Sequence, residues 1–436
     1  LELGGRMSNY NTTGTSWTYK LLGDWAVNDW LRFRGGYNRA ERAPNIGELF
    51  LSAQQTFGVN NRGDVCSTAN PNTFSANPGT NPANGPGNAG GAAGALDVEA
   101  VCRALMAQAS PDAASLYYGS PTLGVVTNPQ APGSFGFAFP TLIGNPNLSP
   151  ETADTWTAGV VIQSPMDSGV LSRLRLSVDW YDITVKDAIG AQTVGAVLQQ
   201  CFDPAFNPLV NGAAASTAAA NAAAGNTFCQ LVPRNGTGQL GNVKITYTND
   251  GKVHLSGIDA QLDWGYDIGP GTFTLNSVFN YQMDFESSAL YPALPMIDYV
   301  GTQGSGENGL NPNVFEYRIF TTVGYSWGPA RVALQWQYYP GLEDLGEVTV
   351  PGGTPNQAGW PSYNLFSLNT SYQLTDDIGI RFGIDNLFNK RPPLGNINTN
   401  VTAASAATDG VLAGGSFLGA HDTNGRRFYL GANARF

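Results

Sequence analysis

The chain has 436 residues, of which only 13% are charged, with 54 Gly, 27 Pro and 11% aromatic residues. Charge at about half the level of soluble globular domains, beside so many turn formers, favours strands joined by loops and fits helical or Rossmann-type enzymes poorly. A net charge of −11 provides no basic stripe for a phosphate backbone, which excludes nucleic acid as a partner. No run approaches the roughly 18 consecutive apolar residues of a membrane-spanning helix, a test that does not touch β-barrels.

Leu1, Leu3 and Gly5 alternate with Glu2, Gly4 and Arg6, and no initiator Met or signal segment precedes them. The sequence is therefore expected to open inside a strand, as a fragment or a processed product. A short polar loop at Asn11 to Ser16 leads into TYKLLGDWAV and a tight turn at Asn28-Asp29. WLRFRGGYNRA then sets Leu31, Phe33, Gly35 and Tyr37 against Arg32, Arg34, Gly36 and Asn38. The same period of two runs through TADTWTAGVVIQ, SRLRLSVDWYDITV and SGIDAQLDWGYD. It continues through FTLNSVFNY, VFEYRIFTTVGYSW, RVALQWQYY, YNLFSLNTSYQL and IGIRFGIDNLF. GRRFYLGANARF closes the chain, with Phe428, Leu430, Ala432, Ala434 and Phe436 on one face and Arg427, Tyr429, Asn433 and Arg435 on the other. About twelve strands are predicted.

Their connections alternate between tight turns, near Asn28, Ser168, Ile268, Ser326 and Leu374, and long loops. The long ones run from about Glu41 to Pro150, Ala188 to Asn242, Glu286 to Asn311, Gly341 to Trp360 and Asn389 to Asn424. Short turns on one rim, long loops on the other, and strands apolar on one face describe an antiparallel transmembrane β-barrel. Lipid offers no hydrogen bonds, so a spanning sheet must pair every strand and close. Charged residues then belong on the inner face: Arg32, Arg34, Arg42, Asp179, Asp263 and Arg381 are the candidates for facing a lumen or its contents. Trp17, Trp30, Tyr325, Trp327, Tyr338 and Tyr363 lie near strand ends, where interfacial girdles form. A soluble β-sandwich alternates too, but it buries its apolar face and has loops of similar length at both ends.

The loops at 41–150 and 188–242 belong to a single barrel domain spanning 1–436. The first holds a low-complexity Asn/Pro/Gly/Ala run, then ALDVEAVCRALMAQA, a predicted helix. In the second, VGAVLQQCF places Val194, Val197, Leu198, Cys201 and Phe202 on one helical face. Cys66 and Cys102, and Cys201 and Cys229, fall into two local pairs without zinc-finger or CxxC spacing, which predicts a disulfide within each loop and an oxidising compartment. Tyr117, Tyr118, Tyr291, Tyr299 and Trp360 are the aromatic candidates for ligand contact. Phe135, Phe137 and Phe139 form a second such group. With two His far apart and no GxSxG, HExxH, P-loop or GxGxxG in a fitting context, no catalytic, metal or cofactor site is expected. The triplet Arg62-Gly63-Asp64 reads as coincidence, and Asp376-Asp377 as a solvated turn.

Three stretches go beyond class. GYNRAERAPNIGELF resembles the segment of TonB-dependent outer-membrane receptors in which a strand breaks at Ala-Pro into a long outer loop. GNPNLSPETADTWTAGVV is similar to the family's Asn-Pro-x-Leu-x-Pro-Glu segment, and GIDNLFNKRPP to its Asn-Leu-Phe-Asp-Lys segment, with Asn389 where Asp is usual. Phe428, Leu430 and the terminal Phe436 resemble the signal read by the barrel-assembly machinery. The resemblance implies the C-terminal part of a barrel of about 22 strands in the outer membrane of a Gram-negative bacterium. It also implies a plug and a TonB box lying outside this sequence, through which the TonB complex acts. The function it implies is uptake of a scarce nutrient bound at the outer loops, a siderophore, an oligosaccharide or a similar bulky ligand. Long aromatic loops without a metal-ligand cluster favour a saccharide or another organic ligand. A passive porin-type channel and a surface adhesin are the alternatives.

Overall fold

The computed structural model describes residues 1–56, 58–59, 63–70, 74–78, 91–120, 137–138, 140–288, 296–303, 314–344, 361–392 and 421–435. Twelve strands join in chain order into one antiparallel sheet. They are β1 (Glu2–Tyr10), β2 (Gly14–Ala26), β3 (Leu31–Arg42), β4 (Glu151–Gln163), β5 (Arg173–Ala191) and β6 (Lys244–Ile268). The second half holds β7 (Gly271–Ser288), β8 (Tyr317–Trp327), β9 (Ala330–Tyr339), β10 (Tyr363–Gln373), β11 (Ile378–Asp385) and β12 (Arg427–Ala434). Each pairs with its sequence neighbours, the arrangement that tight turns at one rim dictate. Among the described residues β1 pairs only with β2 and β12 only with β11, so the sheet is an open arc of barrel wall.

Register decides the faces. Directly opposite residues of antiparallel strands point the same way, and Leu21, Tyr37 and Trp156 stand opposite one another, as do Trp25, Phe33 and Val160. That face is apolar and uncovered; Leu430 is 77% exposed on it and Phe428 63%. The reverse face carries the charges. Crossing a membrane takes about 9–11 strand residues, and β6 has 25. Its upper part therefore rises beyond the bilayer, where the outer face turns polar at Asp182, His254 and Asp284. Trp17, Trp30 and Trp327 are exposed at strand ends as expected of a girdle, but Tyr363 is fully buried, its ring tilted against His421 with centroids 4.6 Å apart. That loop contact overrides the interfacial role read from its position.

Among the described residues of the loops, five helices rise above the wall: α1 (Ile46–Phe50), α2 (Gly91–Ala109), α3 (Ala113–Gly119), α4 (Val194–Phe202) and α5 (Thr217–Ala224). A short strand, Thr141–Ile143, pairs parallel with Lys244 to Thr246 of β6 and antiparallel with Gln54–Gln55, stitching the first long loop to the wall. The disulfides form as the spacing predicts, Cys66 with Cys102 and Cys201 with Cys229. The two loops do not stay separate, however. Val98, Val101, Leu105 and Met106 of the first pack with Val197, Leu198, Phe202 and Ala223 of the second in one buried core. This shared core is a cap on the barrel, and most of the fully buried side chains among the described residues lie in it.

Candidate functional site: the mouth and inner wall

At the mouth, Arg42 ends β3 and ties the loop's two ends together. Its Nε meets Glu151 Oε1 at 2.6 Å and its Nη1 meets Glu48 Oε2 at 3.1 Å. Glu48 belongs to a capping box: Asn45 Oδ1 accepts the Glu48 N–H at 2.9 Å and Glu48 Oε2 accepts the Asn45 N–H at 2.7 Å. Glu151 also accepts the Ile189 N–H at 2.9 Å. Partial burial pushes the Glu151 carboxyl up, but the Arg42 guanidinium and that N–H outweigh it and hold it below the usual range. On the return path Asn145 donates to the Tyr247 carbonyl at 2.9 Å, and Leu148 is buried. The stretches RAERAPNIGELF and GNPNLSPE are thus two halves of one clasp that fixes where the first loop leaves and re-enters the wall.

Below the mouth the inner wall is polar in two sectors. In the first, Arg34 lies in register with Gly159 and Asp179, and its Nε donates to Asp179 Oδ1 at 2.6 Å. Asp179 is followed in the same row by Asp259, Asn280 and Arg318. Asn280 donates to Asp259 Oδ1 at 2.8 Å and accepts from Arg318 Nη2 at 3.1 Å. One turn of the pleat lower, Asp263 accepts from Gln261 at 3.0 Å and Asn276. Arg32 stands 3.4 Å from Asp24. The second sector, β8 to β10, is richer in amides and hydroxyls: Gln335, Gln337, Ser367 and Asn369 share the inner face with Arg331. In the first sector Arg34 and Asp259 are met sideways along the wall.

All six residues expected to face the lumen, Arg32, Arg34, Arg42, Asp179, Asp263 and Arg381, fall on this inner face by register. The aromatic candidates have other work. Tyr117 is 2% exposed, and its hydroxyl donates to Asp64 Oδ2 at 2.8 Å. Burial, then the Asp64 charge, pushes its phenol far up. Tyr118 donates to the Cys66 carbonyl at 3.2 Å and takes the Arg103 guanidinium on its ring. Tyr299 is fully buried against Phe285. Tyr117 and Tyr299 are enclosed in loop packing and offer no face to ligand, whereas Tyr118 is half-buried. Tyr291, Trp360, Phe135, Phe139 and Phe436 lie outside the described residues, and nothing is described of the Phe137 side chain.

Asp64, the last residue of the Arg-Gly-Asp triplet, is a structural anchor, while Arg62 lies outside the described residues. Asp64 receives Arg234 Nη1 at 2.8 Å, Tyr117 and the Cys66 N–H, with both members of the ion pair at or below 9% exposure. Asp97 of α2 similarly accepts the N–H groups of Gly212 and Ala214, at 3.0 and 2.9 Å. No spacing rule links residues 115 or 170 positions apart, so sequence reasoning missed both bonds between the loops. Among the described residues no group of three or more His, Cys, Asp or Glu is placed to hold a metal ion.

The family described as TonB dependent receptor-like, beta-barrel matches residues 1–88 and 106–387. The chain belongs to that family. Its members are receptors and transporters of the outer membrane of Gram-negative bacteria, and not enzymes. None of the curated proteins compared matches the chain. Among solved structures, the siderophore receptor PirA from Acinetobacter baumannii aligns with a TM-score of 0.50 at 18% identity, covering 100% of this chain and 43% of that one. The ferric enterobactin receptor PfeA from Pseudomonas aeruginosa, solved with enterobactin, aligns at 0.54 and 14% identity, covering 99% and 42%. At such identities the likeness is one of fold, and the chain spans less than half the length of either receptor.

Proposed function

We propose that this chain supplies part of the wall and the extracellular cap of an outer-membrane receptor that binds a scarce nutrient at its mouth and imports it. The energy comes from the TonB complex, acting on a plug held in the lumen. The observation that carries the reading is the inner wall, where Arg34 with Asp179 and Arg32 with Asp24 pair sideways, beneath a cap with its own core. A passive channel needs neither the cap nor the matched wall. The open edges of β1 and β12 require further strands to close against, since unpaired edges in lipid are costly. Phe428 and Leu430, exposed on the outer face of β12, meet lipid and form the part of the strand offered to the barrel-assembly machinery.

The substrate class is a bulky organic ligand, an oligosaccharide or a siderophore. With no metal-ligating cluster among the described residues, recognition rests on the organic part of the ligand, which favours the saccharide slightly. The test expresses the whole receptor containing this chain in the outer membrane of a Gram-negative host. Heat-modifiable migration on a gel and recovery with the outer membrane are expected, as is uptake of one member of a siderophore and oligosaccharide panel that stops when TonB is deleted. Uptake that persists without TonB means a passive channel; surface binding without uptake means an adhesin.

A further inference from the structure

A long polar side chain of the inner wall can cross a glycine to meet the strand beyond it. Arg34 on β3 passes Gly159 on β4 and donates to Asp179 on β5 at 2.6 Å. Tyr181 on β5 passes Gly257 on β6 to Gln282 on β7 at 3.3 Å. Tyr429 on β12 passes Gly383 on β11 and bonds Asn369 on β10. In each case the glycine is the middle of three residues in direct register, and a Cβ there would block the crossing. Another crossing is unfinished. Arg381 on β11 stands opposite Gly431 on β12, and its Nε lies 2.7 Å from where a Cβ of Gly431 would be. The guanidinium is thus laid over β12, the edge of the sheet, and among the described residues it has no partner.

Its own side of the sheet offers no anion. Among the described residues β9 to β12 hold one acid, Asp385, whose Oδ2 lies 3.4 Å from Arg427. Asp377, in the turn below, is four residues off, roughly 13 Å along a strand. Arg175 and Arg331 also lack a partner among the described residues, but both stand inside the sheet, where no further strand can join. Inner-facing arginines that do reach another strand end mostly on carboxylates: Arg32 on Asp24, Arg34 on Asp179, Arg173 on Asp267 and Arg427 on Asp385. Arg318 meets the Asn280 amide, itself held by Asp259. The opposite edge differs, for Lys20 lies over Gly4 of β1 but ends on Glu2 of that same strand. A strand docking on β12 would strip water from the Arg381 guanidinium, and a carboxylate matches its fork bidentately. We propose that the strand pairing with β12, outside this sequence, presents an inward-facing Asp or Glu opposite Gly431. Arg381 binds it across the glycine and so fixes the register in which the barrel closes. This rests on the reading above that further strands close the wall.

The experiment uses the whole receptor in outer membranes and reads the temperature at which its compact, heat-modifiable gel band is lost. Arg381→Glu should lower that temperature, and changing the acid opposite Gly431 to Arg in the same chain should restore it. Arg331→Glu, two strands inside the edge, should gain nothing from that second change. Ala432→Cys, paired with a cysteine at the residue just before the acid, should form a disulfide with Arg381 present and lose it in Arg381→Glu, because directly opposite residues share a face. Should Arg381→Glu not assemble, Arg381→Gln takes its place and the cysteine pair still reads the register. A partner strand with no Asp or Glu opposite Gly431, or an Arg381→Glu variant as heat-stable as the parent, overturns the proposal. So does an absent disulfide, a charge swap that fails to recover, or one that rescues Arg331→Glu equally. Recovery by Glu2→Arg instead would mean that β12 closes on β1, which overturns the proposal and the receptor reading together. The expected recovery in a receptor that imports nothing overturns the receptor reading alone.

Discussion

The cap and the wall are made of the same chain on opposite principles. The cap is held like a small soluble domain: a buried apolar core, two disulfides and an ion pair out of contact with water. The wall has almost no core of its own; its apolar side chains face outward, and its strength lies in strand pairing and in polar contacts along its inner face. The difference teaches where a substitution should hurt. In the cap, loss of one buried partner is felt by every element that shares the core. In the wall, neighbours on both sides still hold the strand.

The sharpest way to break the comparison is Arg234→Ala. It leaves Asp64 buried without its cation, at a cost of about 3–5 kcal/mol, and should make both loops protease-sensitive while the barrel still migrates as folded. Cleavage confined to one loop would mean that the two do not share a core. Replacing Cys66 and Cys102 with Ala opens a loop with a sequence separation of 36, worth about 4 kcal/mol in the chain-entropy treatment. The expected readout is a lower melting temperature for the cap alone, followed by hydrogen exchange on α2 and α3.

Gly238→Ala tests the same interface from the second loop. Its φ is +83, and a Cβ there would lie 2.7 Å from the Ala113 carbonyl oxygen, so strain and overlap together should destabilise the cap by roughly 2 kcal/mol. A melting temperature unchanged from the parent would show that the second loop does not seat against α3.

The smallest effect belongs to the wall above the membrane. His254 sits between β5 and β7, with Nε2 3.1 Å from Asp182 and Nδ1 3.5 Å from Glu286. Partial burial lowers its pKa, but the Asp182 and Glu286 carboxylates, with Asp284 nearby, raise it further, so the net shift is upward from 6.5. A raised folded pKa means that the imidazolium stabilises fully below about pH 6.5 and that this contribution fades as pH rises through the shifted value. Amide protection at the upper ends of β5 to β7, taken relative to the intrinsic base-catalysed exchange rate, should therefore fall on the alkaline side, by less than about 1 kcal/mol. His254→Ala should abolish that fall in protection; a fall that survives it would assign the effect elsewhere.

What was legible in the sequence divides along the same line. Period-two alternation gave the twelve strands, their faces and the inner set of Arg and Asp, because an antiparallel neighbour-to-neighbour sheet is a local object and register follows from the turns. One family segment also proved to be a turn device. In GIDNLFNK, Asn386 and Asn389 both take φ of +51, and Asn389 Oδ1 accepts the Arg426 N–H at 3.1 Å, a left-handed position that suits Asn. The helices around Cys102 and Cys201 were visible from spacing, whereas α1, α3 and α5 were too short or too rich in alanine to show a period.

The sequence by itself therefore determined strand order, the two faces and which cysteines pair, all of which depend on neighbours in the chain or on a period within one segment. Only the tertiary structure decided that the two long loops share one core, and that Asp64 and Tyr117 are buried supports within it. Both depend on contacts between residues tens to well over a hundred positions apart, and no local pattern encodes such distances.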